Sequence, residues 1–301
     1  FEGVLEYYRA TGDKKYLTAV VNFANRIIKE ETTIIGSIGC TEELFDHART
    51  RQTQKPLHTV MQETCVTVTW MKFCMQLLFV TGDMRFGNMY EKALYNAYLG
   101  VFNFNGNMCN GLKDQLKKYP DAIINPLAFD SYSPLVNDTR GKFVAGLRVM
   151  RDNHIYGCCV CIASAGIGVF KKIAVMKTHF GLALNMYEAG SIKSTTPNGQ
   201  NVTFDISTAY PIGERVDITV DLGEPEAFEL CLRVPEWSKN TMLYVNGESM
   251  PVVPHTVQIS RNWKSGDKVS LVFDMTPKVH RPDVKETDFL FVENVNNYMV
   301  G

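Results

Sequence analysis

Residues 79–86 read Phe-Val-Thr-Gly-Asp-Met-Arg-Phe, and a matching stretch at 8–16 reads Tyr-Arg-Ala-Thr-Gly-Asp-Lys-Lys-Tyr. In both copies, apolar residues at helical spacing stand before and after a Thr-Gly-Asp turn. Glycine suits the C-terminal cap of one helix, and aspartate suits the N-terminal cap of the next. This repeat predicts stacked helical hairpins, as in an α/α toroid of which the chain holds the later hairpins.

The composition is that of a folded protein. The chain has 301 residues, of which 45% are hydrophobic, 31 are basic and 32 are acidic. This length suits one large or two ordinary domains, and the balanced charge predicts no nucleic acid partner. The longest apolar runs, such as 66–80, contain Lys72 and Gln76 and predict no membrane span. Because Phe1 begins a helical pattern without an initiator methionine, we expect the chain to be part of a longer protein.

Two short motifs carry the residues suited to chemistry. Residues 62–65 read Gln-Glu-Thr-Cys, and residues 157–161 read Gly-Cys-Cys-Val-Cys. Thiolate sulfur and carboxylate oxygen are both zinc ligands, so the paired Cys158 and Cys159 together with Glu63 and Cys65 offer three cysteines and a carboxylate to one ion. Zinc also keeps a bound thiol as the nucleophilic thiolate. The set predicts either a metal-activated nucleophile or a closed structural zinc site.

The spacing within each motif restricts its backbone. In a regular helix Glu63 and Cys65 would point about 200° away from each other. Both can reach one ion if the helix begins near Thr64, with Glu63 still in the loop. Adjacent Cys158 and Cys159 likewise need a turn rather than a strand. We therefore expect irregular backbone at both motifs, with a helix over 162–170 after the second.

The other cysteines suit the protein interior. Eight cysteines in a chain of this length are too few for a disulfide scaffold, and free cysteine is often buried. Core packing is the favoured interpretation for Cys74, Cys109 and Cys231. Cys40 and Cys161 stay open, with core packing slightly favoured.

A long loop precedes the first motif. Residues 34–59 are rich in glycine, threonine and charge, which predicts an exposed loop of the kind that often carries function. Glu42 and Glu43 are each a candidate catalytic acid or a solvated carboxylate. For His47 and His58, sugar contact and metal ligation stay open beside an ordinary surface position.

The sequence period changes after about residue 178. Residues 216–222 alternate strictly between apolar and polar, as a half-buried strand does. Strand character is also present at 228–234, 243–245 and 269–273. Hairpin turns are predicted at 246–247 and 265–267. Short strands separated by turns predict an antiparallel β-sandwich.

The expected fold class is therefore multidomain α + β. It combines the C-terminal part of an (α/α)6 toroid, at 1–178, with an antiparallel β-sandwich at 179–301. The helical part would carry both cysteine motifs.

Together, the two cysteine motifs, the Thr-Gly-Asp pairs and residues 262–267 resemble glycoside hydrolase family 127, the bacterial β-L-arabinofuranosidases. The resemblance covers most of the chain and implies an (α/α)6 barrel followed by β-sandwich domains. It implies a zinc site built from Glu63, Cys65, Cys158 and Cys159. After the cysteine pair this chain has Val-Cys-Ile, where the family has Pro-Pro-Asn.

The resemblance also implies catalytic roles. Cys158 would be the nucleophile, Glu43 the general acid and base, and Tyr132 a substrate contact. The implied reaction is retaining hydrolysis that releases L-arabinofuranose, with an L-arabinofuranosyl or related plant cell-wall saccharide as substrate. The family's sugar-binding histidines would precede Phe1, so we expect the chain alone to lack part of its substrate site.

One alternative belongs to another class of protein. It is a non-catalytic, zinc-stabilised module that binds carbohydrate or a partner. Cytoplasm and periplasm both suit either hypothesis, and the sequence predicts no oligomeric state.

Overall fold

The computed structural model describes residues 1–40, 43–52, 62–102, 117, 123–126, 132–133, 147–150 and 158–280. For 123–126, 132–133, 147–150, Cys158 and Val160 it describes the backbone alone. Glu42, His58 and Cys109 lie outside the described residues.

The helices of the described part fall mostly in its first half. They are α1 (Glu2–Thr11), α2 (Lys14–Glu30), α3 (Ala48–Arg51), α4 (Thr64–Thr81), α5 (Met84–Lys92) and α6 (Cys158–Ala174). A π-helical turn (Ala93–Tyr98) and a 3₁₀ turn (Leu99–Val101) follow α5.

The strands are short before α6 and longer after it. Those before α6 are β1 (Gln62–Glu63), β2 (Ile123–Pro126), β3 (Tyr132–Ser133) and β4 (Leu147–Met150). Those after α6 are β5 (Val175–Lys177), β6 (Gly181–Leu184), β7 (Gly190–Thr195), β8 (Asn201–Thr208), β9 (Arg215–Leu222), β10 (Glu226–Arg233), β11 (Met242–Val245), β12 (Glu248–Met250), β13 (Thr256–Trp263) and β14 (Lys268–Val272).

Both Thr-Gly-Asp junctions form the predicted caps. Gly12 follows α1 with φ 71°, and Gly82 follows α4 with φ 67°, the left-handed region that favours glycine. Asp13 then accepts a hydrogen bond of 3.0 Å from the N–H two residues on, at the start of α2. Asp83 accepts the same bond, also 3.0 Å, at the start of α5. The repeated sequence therefore gives a repeated local structure.

Asp83→Ala is expected to lower the free energy of unfolding by about 1 kcal/mol, because α5 loses its N-cap. Burial alone would raise the pKa of Asp83, but hydrogen bonds from the Arg85 side chain and N–H outweigh it and lower that pKa. The Asp83 carboxylate is therefore ionised at neutral pH. The part of the free energy of unfolding that depends on this ionisation is lost as the pH falls through the lowered pKa. Urea denaturation measures the effect. Asp83→Asn is the control, since asparagine caps comparably; an equal loss there would contradict the capping role.

The described residues pack into two compact units. Unit 1 takes its described residues mainly from Phe1–Gln76 and Lys92–Ile167, and unit 2 comprises Leu77–Glu91 and Gly168–Val279. Unit 1 contains both cysteine motifs, and unit 2 contains β5 to β14. The domain limits at 178 and 179 stay predictions.

Unit 2 is built on two sheets. One has the strand order β12-β11-β14-β9-β8-β7, and the other has the order β13-β10-β6-β5. In β9 the residues Val216, Ile218 and Val220 are fully buried and alternate with more exposed neighbours. The strict alternation in the sequence therefore predicted this strand correctly.

Two details differ from the predicted antiparallel arrangement. β6 and β10 pair in parallel, because the chain between them forms β7 to β9 and is long enough for a crossover. The turn at 265–267 is not a hairpin, since β13 and β14 lie in different sheets. Its Gly266 N–H instead donates to Val220 O of β9, at 2.9 Å. Asn246-Gly247 does form the predicted hairpin, between β11 and β12.

The described part thus mixes helices and sheets, as the expected fold class requires. The toroid and the sandwich as complete architectures stay predictions.

The backbone at the cysteine motifs agrees only in part with expectation. α4 begins at Thr64 with Glu63 just before it, as the geometry requires, although Glu63 lies in a short strand rather than a loop. At the second motif the expectation of irregular backbone is wrong, because α6 begins at Cys158 and includes Cys159. The expectation compared a turn only with a strand, in which adjacent cysteines point to opposite faces. In a helix, however, adjacent side chains diverge by about 100° rather than the 180° of a strand, so a helix here does not prevent neighbouring cysteines from serving one ion.

Among the described residues, α4 is the one helix long and apolar enough to cross a membrane by length and composition. Within that window 56% of the residues are buried inside the protein, as in the core helix of a globular domain. The absence of a membrane partner stays a prediction.

The loop before the first motif is less exposed than predicted. Residues 36–40 are buried, because a turn closed by Thr33 N–H to Ser37 O, at 2.8 Å, is packed against the π-helical turn. A Cβ added at Gly36 would lie 2.6 Å from Ala93 N. Close packing therefore overrides the polar composition of this segment.

Candidate metal and catalytic site

Three of the predicted zinc ligands lie together in unit 1. The Sγ atoms of Cys65 and Cys159 are 3.3 Å apart, although 94 residues separate them in sequence. Cys159 Sγ lies 3.4 Å from Glu63 Oε1, and all three ligand atoms lie within 4.8 Å of one another. Glu63 and Cys159 are buried, and Cys65 is half-buried. The three side chains form a group that could hold a metal ion.

Local structure directs the first two ligands to one point. Glu63 is the last residue of β1, and the helical backbone starts at the next residue. This change from extended to helical backbone removes the divergence that a continuous helix would impose on Glu63 and Cys65. Thr67 Oγ1 donates to Glu63 O at 3.1 Å and so fixes the junction.

The donor set fits zinc. Two thiolates on a tetrahedral zinc ion, with bonds of about 2.3 Å, stand about 3.8 Å apart. The distance of 3.3 Å between Cys65 and Cys159 needs only a small outward movement to match. Two sulfurs and a carboxylate form a soft donor set that favours zinc over calcium or magnesium. When ionised and buried, such neighbours repel one another unless a cation lies between them.

Cys158 and Tyr132 are placed by their backbones. Cys158 is the first residue of α6 and directly precedes Cys159. Tyr132 of β3 pairs with Glu63 of β1 across a two-stranded ladder. Their side chains are not among those described, so the roles of Cys158 as nucleophile and ligand and of Tyr132 as substrate contact stay predictions.

Glu43 lies on an exposed turn. It is not one of the three clustered ligand residues. Its role as the acid and base stays a prediction, and Glu42 lies outside the described residues.

In a second group of potential metal ligands, both carboxylates already form hydrogen bonds or an ion pair. Glu30, Glu31 and His47 offer ligand atoms within 4.8 Å of one another. The two oxygens of Glu31 accept hydrogen bonds from the N–H groups of His47 and Ala48, at 3.0 and 2.9 Å. Glu30 pairs with Arg26 at 2.8 Å. Glu31 therefore caps the short helix α3.

The remaining cysteines divide by burial. Cys40, Cys74 and Cys231 are buried, which confirms core packing for all three. Burial raises the pKa of the Cys74 thiol, and burial together with Glu229 raises that of Cys231 to about 12. Cys161 is exposed, so core packing is wrong there. It follows Cys159 by two residues, and about 200° of helical rotation turns it away from the cluster.

A buried ion pair in unit 2 was not predicted from the sequence. Arg233 of β10 is fully buried and forms an ion pair with Glu91 of α5. Its Nη1 also donates to Asn88 Oδ1 at 3.1 Å, and Tyr210 OH donates to Glu91 at 2.5 Å. In the sequence, Arg233 ends an apolar strand, but an arginine exposed to solvent at a strand end would give the same pattern.

Two family descriptions match the chain, and both describe domains of glycoside hydrolases. Residues 1–119 match the catalytic domain of GH127 β-L-arabinofuranosidases, and residues 181–275 match the middle domain of the same family. The two matches together cover more than two thirds of the chain. The chain belongs to glycoside hydrolase family 127. Comparison with curated proteins finds no match.

Solved structures share the fold. Ara127N-Se, a GH127 β-L-arabinofuranosidase from Geobacillus stearothermophilus T6, is 22% identical with a TM-score of 0.68, over 93% of this chain and 42% of that one. A structure described as a glycoside hydrolase is 22% identical with a TM-score of 0.67, over 92% and 46%. A GH127 β-arabinofuranosidase is 19% identical with a TM-score of 0.66, over 90% and 41%. The chain spans less than half the length of these structures.

Proposed function

We propose that the chain contributes the nucleophile of a retaining glycoside hydrolase that releases L-arabinofuranose, with Cys158 held in a zinc site. The observation that carries the proposal is the approach of Cys65 to Cys159, with 3.3 Å between their sulfurs. Cys158 stands beside Cys159 in the first turn of α6. The family descriptions, which name β-L-arabinofuranosidases, support the choice of sugar.

The metal would make the nucleophile available. Four residues would hold the zinc ion: Glu63, Cys65, Cys158 and Cys159. When bound, zinc keeps cysteine sulfur as thiolate near neutral pH. Burial without such a cation has the opposite effect, as the raised pKa of Cys74 illustrates.

The proposed reaction has two displacements. In the first, the Cys158 thiolate attacks the anomeric carbon, a C–S bond forms, and the glycosidic C–O bond breaks while Glu43 protonates the leaving oxygen. In the second, water attacks the same carbon, Glu43 takes its proton, and the C–S bond breaks to restore the thiolate. Two inversions at one carbon retain its configuration.

The described positions of two further residues are compatible with these roles. Glu43 is exposed, so a substrate in solution can reach it. The pairing of β3 with β1 puts the backbone of Tyr132 opposite Glu63, which supports a sugar contact beside the metal ligands. Glu42 stays the alternative acid.

The second candidate function is a non-catalytic, zinc-stabilised module that binds carbohydrate or a partner. A cleft of about 530 Å³ on the six-stranded sheet favours it, because Tyr244 lines the cleft together with Arg215, Asn246 and Lys268. A tyrosine ring offers an apolar face for a sugar, and the neighbouring polar groups offer hydrogen bonds. In this case the four zinc ligands would form a closed structural site.

Cys158→Ser distinguishes the two functions. Turnover of an aryl β-L-arabinofuranoside is expected to fall by about 10³-fold or more, because serine lacks a comparable nucleophile at neutral pH. Zinc content is measured in parallel, because Cys158 is also a proposed zinc ligand; loss of turnover with zinc still bound supports its role as the nucleophile. Cys161→Ser, a substitution of an exposed cysteine on the same helix, is the control and should keep full turnover. Unchanged turnover in Cys158→Ser would contradict the proposed nucleophile.

A further inference from the structure

The two segments that carry the metal ligands are joined through a turn at 33–37. Thr33 Oγ1 donates to Gln62 Oε1 at 2.7 Å, next to Glu63. The hydroxyls of Thr67, one helical turn after Glu63, and Ser37 share a hydrogen bond of 2.9 Å. Both bonds are buried, so water does not compete with them. The turn therefore holds the first ligand segment at two points.

The same turn holds the π-helical turn at Ala93–Tyr98. Ala97 N–H donates to Ile35 O at 3.1 Å. Gly36 has φ 90° and lies so close to the chain at 92–93 that a Cβ would meet Ala93 N at 2.6 Å. π-Helical turns are rare and occur frequently at functional sites.

Tyr98, the last residue of the π-helical turn, contacts the helix that carries Cys159. Its OH donates to Ala163 O at 2.6 Å, and the side chain is buried. Burial raises the pKa of Tyr98 to about 12, so the hydroxyl keeps its proton. Its ring lies against Gly166, where a Cβ would stand 2.5 Å from Cε2.

The contact is on the same face of α6 as the ligand. Cys159, Ala163 and Gly166 are spaced i, i+4 and i+7, which places them along one stripe of a helix. All three are buried. A shift of α6 along or around its axis at Gly166 would therefore move Cys159 relative to Cys65.

We infer that Tyr98 is a positioning residue, which seats α6 through Gly166 so that the Cys159 sulfur meets Cys65 and Glu63. The inference rests on the proposed metal site and is independent of the proposed reaction. It explains why a glycine lies in the interior of α6 despite its low helix propensity: the tyrosine ring leaves no room for a Cβ.

The test measures the proximity of the two sulfurs without metal or substrate. In metal-free protein carrying Cys158→Ser and Cys161→Ser, diamide takes two hydrogen atoms from Cys65 and Cys159 and leaves a disulfide between them. Mass spectrometry of the peptides gives the rate. Gly166→Ala requires a displacement of about 1 Å, which is expected to slow the reaction on the order of 100-fold. Gly168→Ala is the matched control, since its Cβ meets nothing within 4 Å on the same helix.

Each result decides the inference. A slow disulfide in folded Gly166→Ala, with a normal rate in Gly168→Ala, supports it; equal rates overturn it. If Gly166→Ala does not fold, Tyr98→Leu decides, because it removes both the ring that lies against Gly166 and the hydroxyl that bonds the backbone of α6. A rate reduced on the order of fivefold in that variant supports the inference, and an unchanged rate overturns it. Loss of hydrolysis with an unchanged disulfide rate would concern the proposed function alone.

Discussion

Replacing Arg233 with methionine is expected to lower the free energy of unfolding by about 3–5 kcal/mol, because it leaves a buried carboxylate without its cation. Arg233 is fully buried, and Glu91, its partner, is 3% exposed. Burial alone would lower the pKa of Arg233, but the Glu91 carboxylate together with Tyr210 and Tyr187 outweighs burial and raises that pKa. The arginine therefore stays charged at every pH at which the protein is folded.

Urea denaturation measures this loss. Arg26→Ala is the control, since it removes an ion pair with Glu30 on the protein surface and should leave the denaturation midpoint unchanged. The double variant Arg233→Met with Glu91→Leu is expected to be more stable than Arg233→Met alone, because neither charge is then buried. A midpoint for Arg233→Met equal to that of Arg26→Ala would contradict the role of the buried pair.

Cys159→Ser is expected to weaken zinc binding by more than about 100-fold. A serine oxygen replaces the sulfur that lies near both Cys65 and Glu63, and a hydroxyl is a much poorer zinc ligand than a thiolate. Competition with a chromophoric chelator at neutral pH gives the affinity of the variant and of the wild-type protein.

Cys161→Ser is the matched control for this measurement. It makes the same chemical change two residues further along α6, at an exposed position turned away from the cluster. Its zinc affinity should equal that of the wild-type protein. Equal affinities for Cys159→Ser and the wild-type protein would exclude Cys159 as a ligand.

Features that depend on a few neighbouring residues could be predicted from the sequence. The caps at Gly12 and Gly82 follow from Thr-Gly-Asp, because each cap needs only bonds within about one helical turn. The strand β9 follows from alternation, because one buried face requires a period of two. The grouping of Glu63, Cys65 and Cys159 could be predicted for another reason: clustered cysteines near a glutamate are a typical zinc-ligand set.

Features that depend on distant residues could not be predicted in this way. Arg233 and Glu91 are 142 residues apart, and the residues around each of them do not indicate that the two form a pair. The parallel pairing of β6 with β10 likewise depends on where the chain returns after three intervening strands. The burial of residues 36–40 depends on a close contact between Gly36 and Ala93, which the polar composition of the loop conceals.

The start of α6 at Cys158 shows that predicted neighbours can be brought together by a backbone that was predicted wrongly. The sequence required Cys65 and Cys159 to approach one ion, and their sulfurs do lie close together. It did not determine how the chain enters the second motif. A helix that begins with the motif itself still brings the Cys159 sulfur to Cys65.

The zinc environment can be measured directly by X-ray absorption at the zinc K-edge on the purified protein. We expect about one zinc per chain, with sulfur neighbours at about 2.3 Å and an oxygen neighbour at about 2.0 Å, from cysteines and Glu63. The sulfur shell should shrink in Cys159→Ser or disappear with the metal. A shell of oxygen and nitrogen alone in the wild-type protein, or no bound zinc, would contradict a site built from Glu63, Cys65 and Cys159.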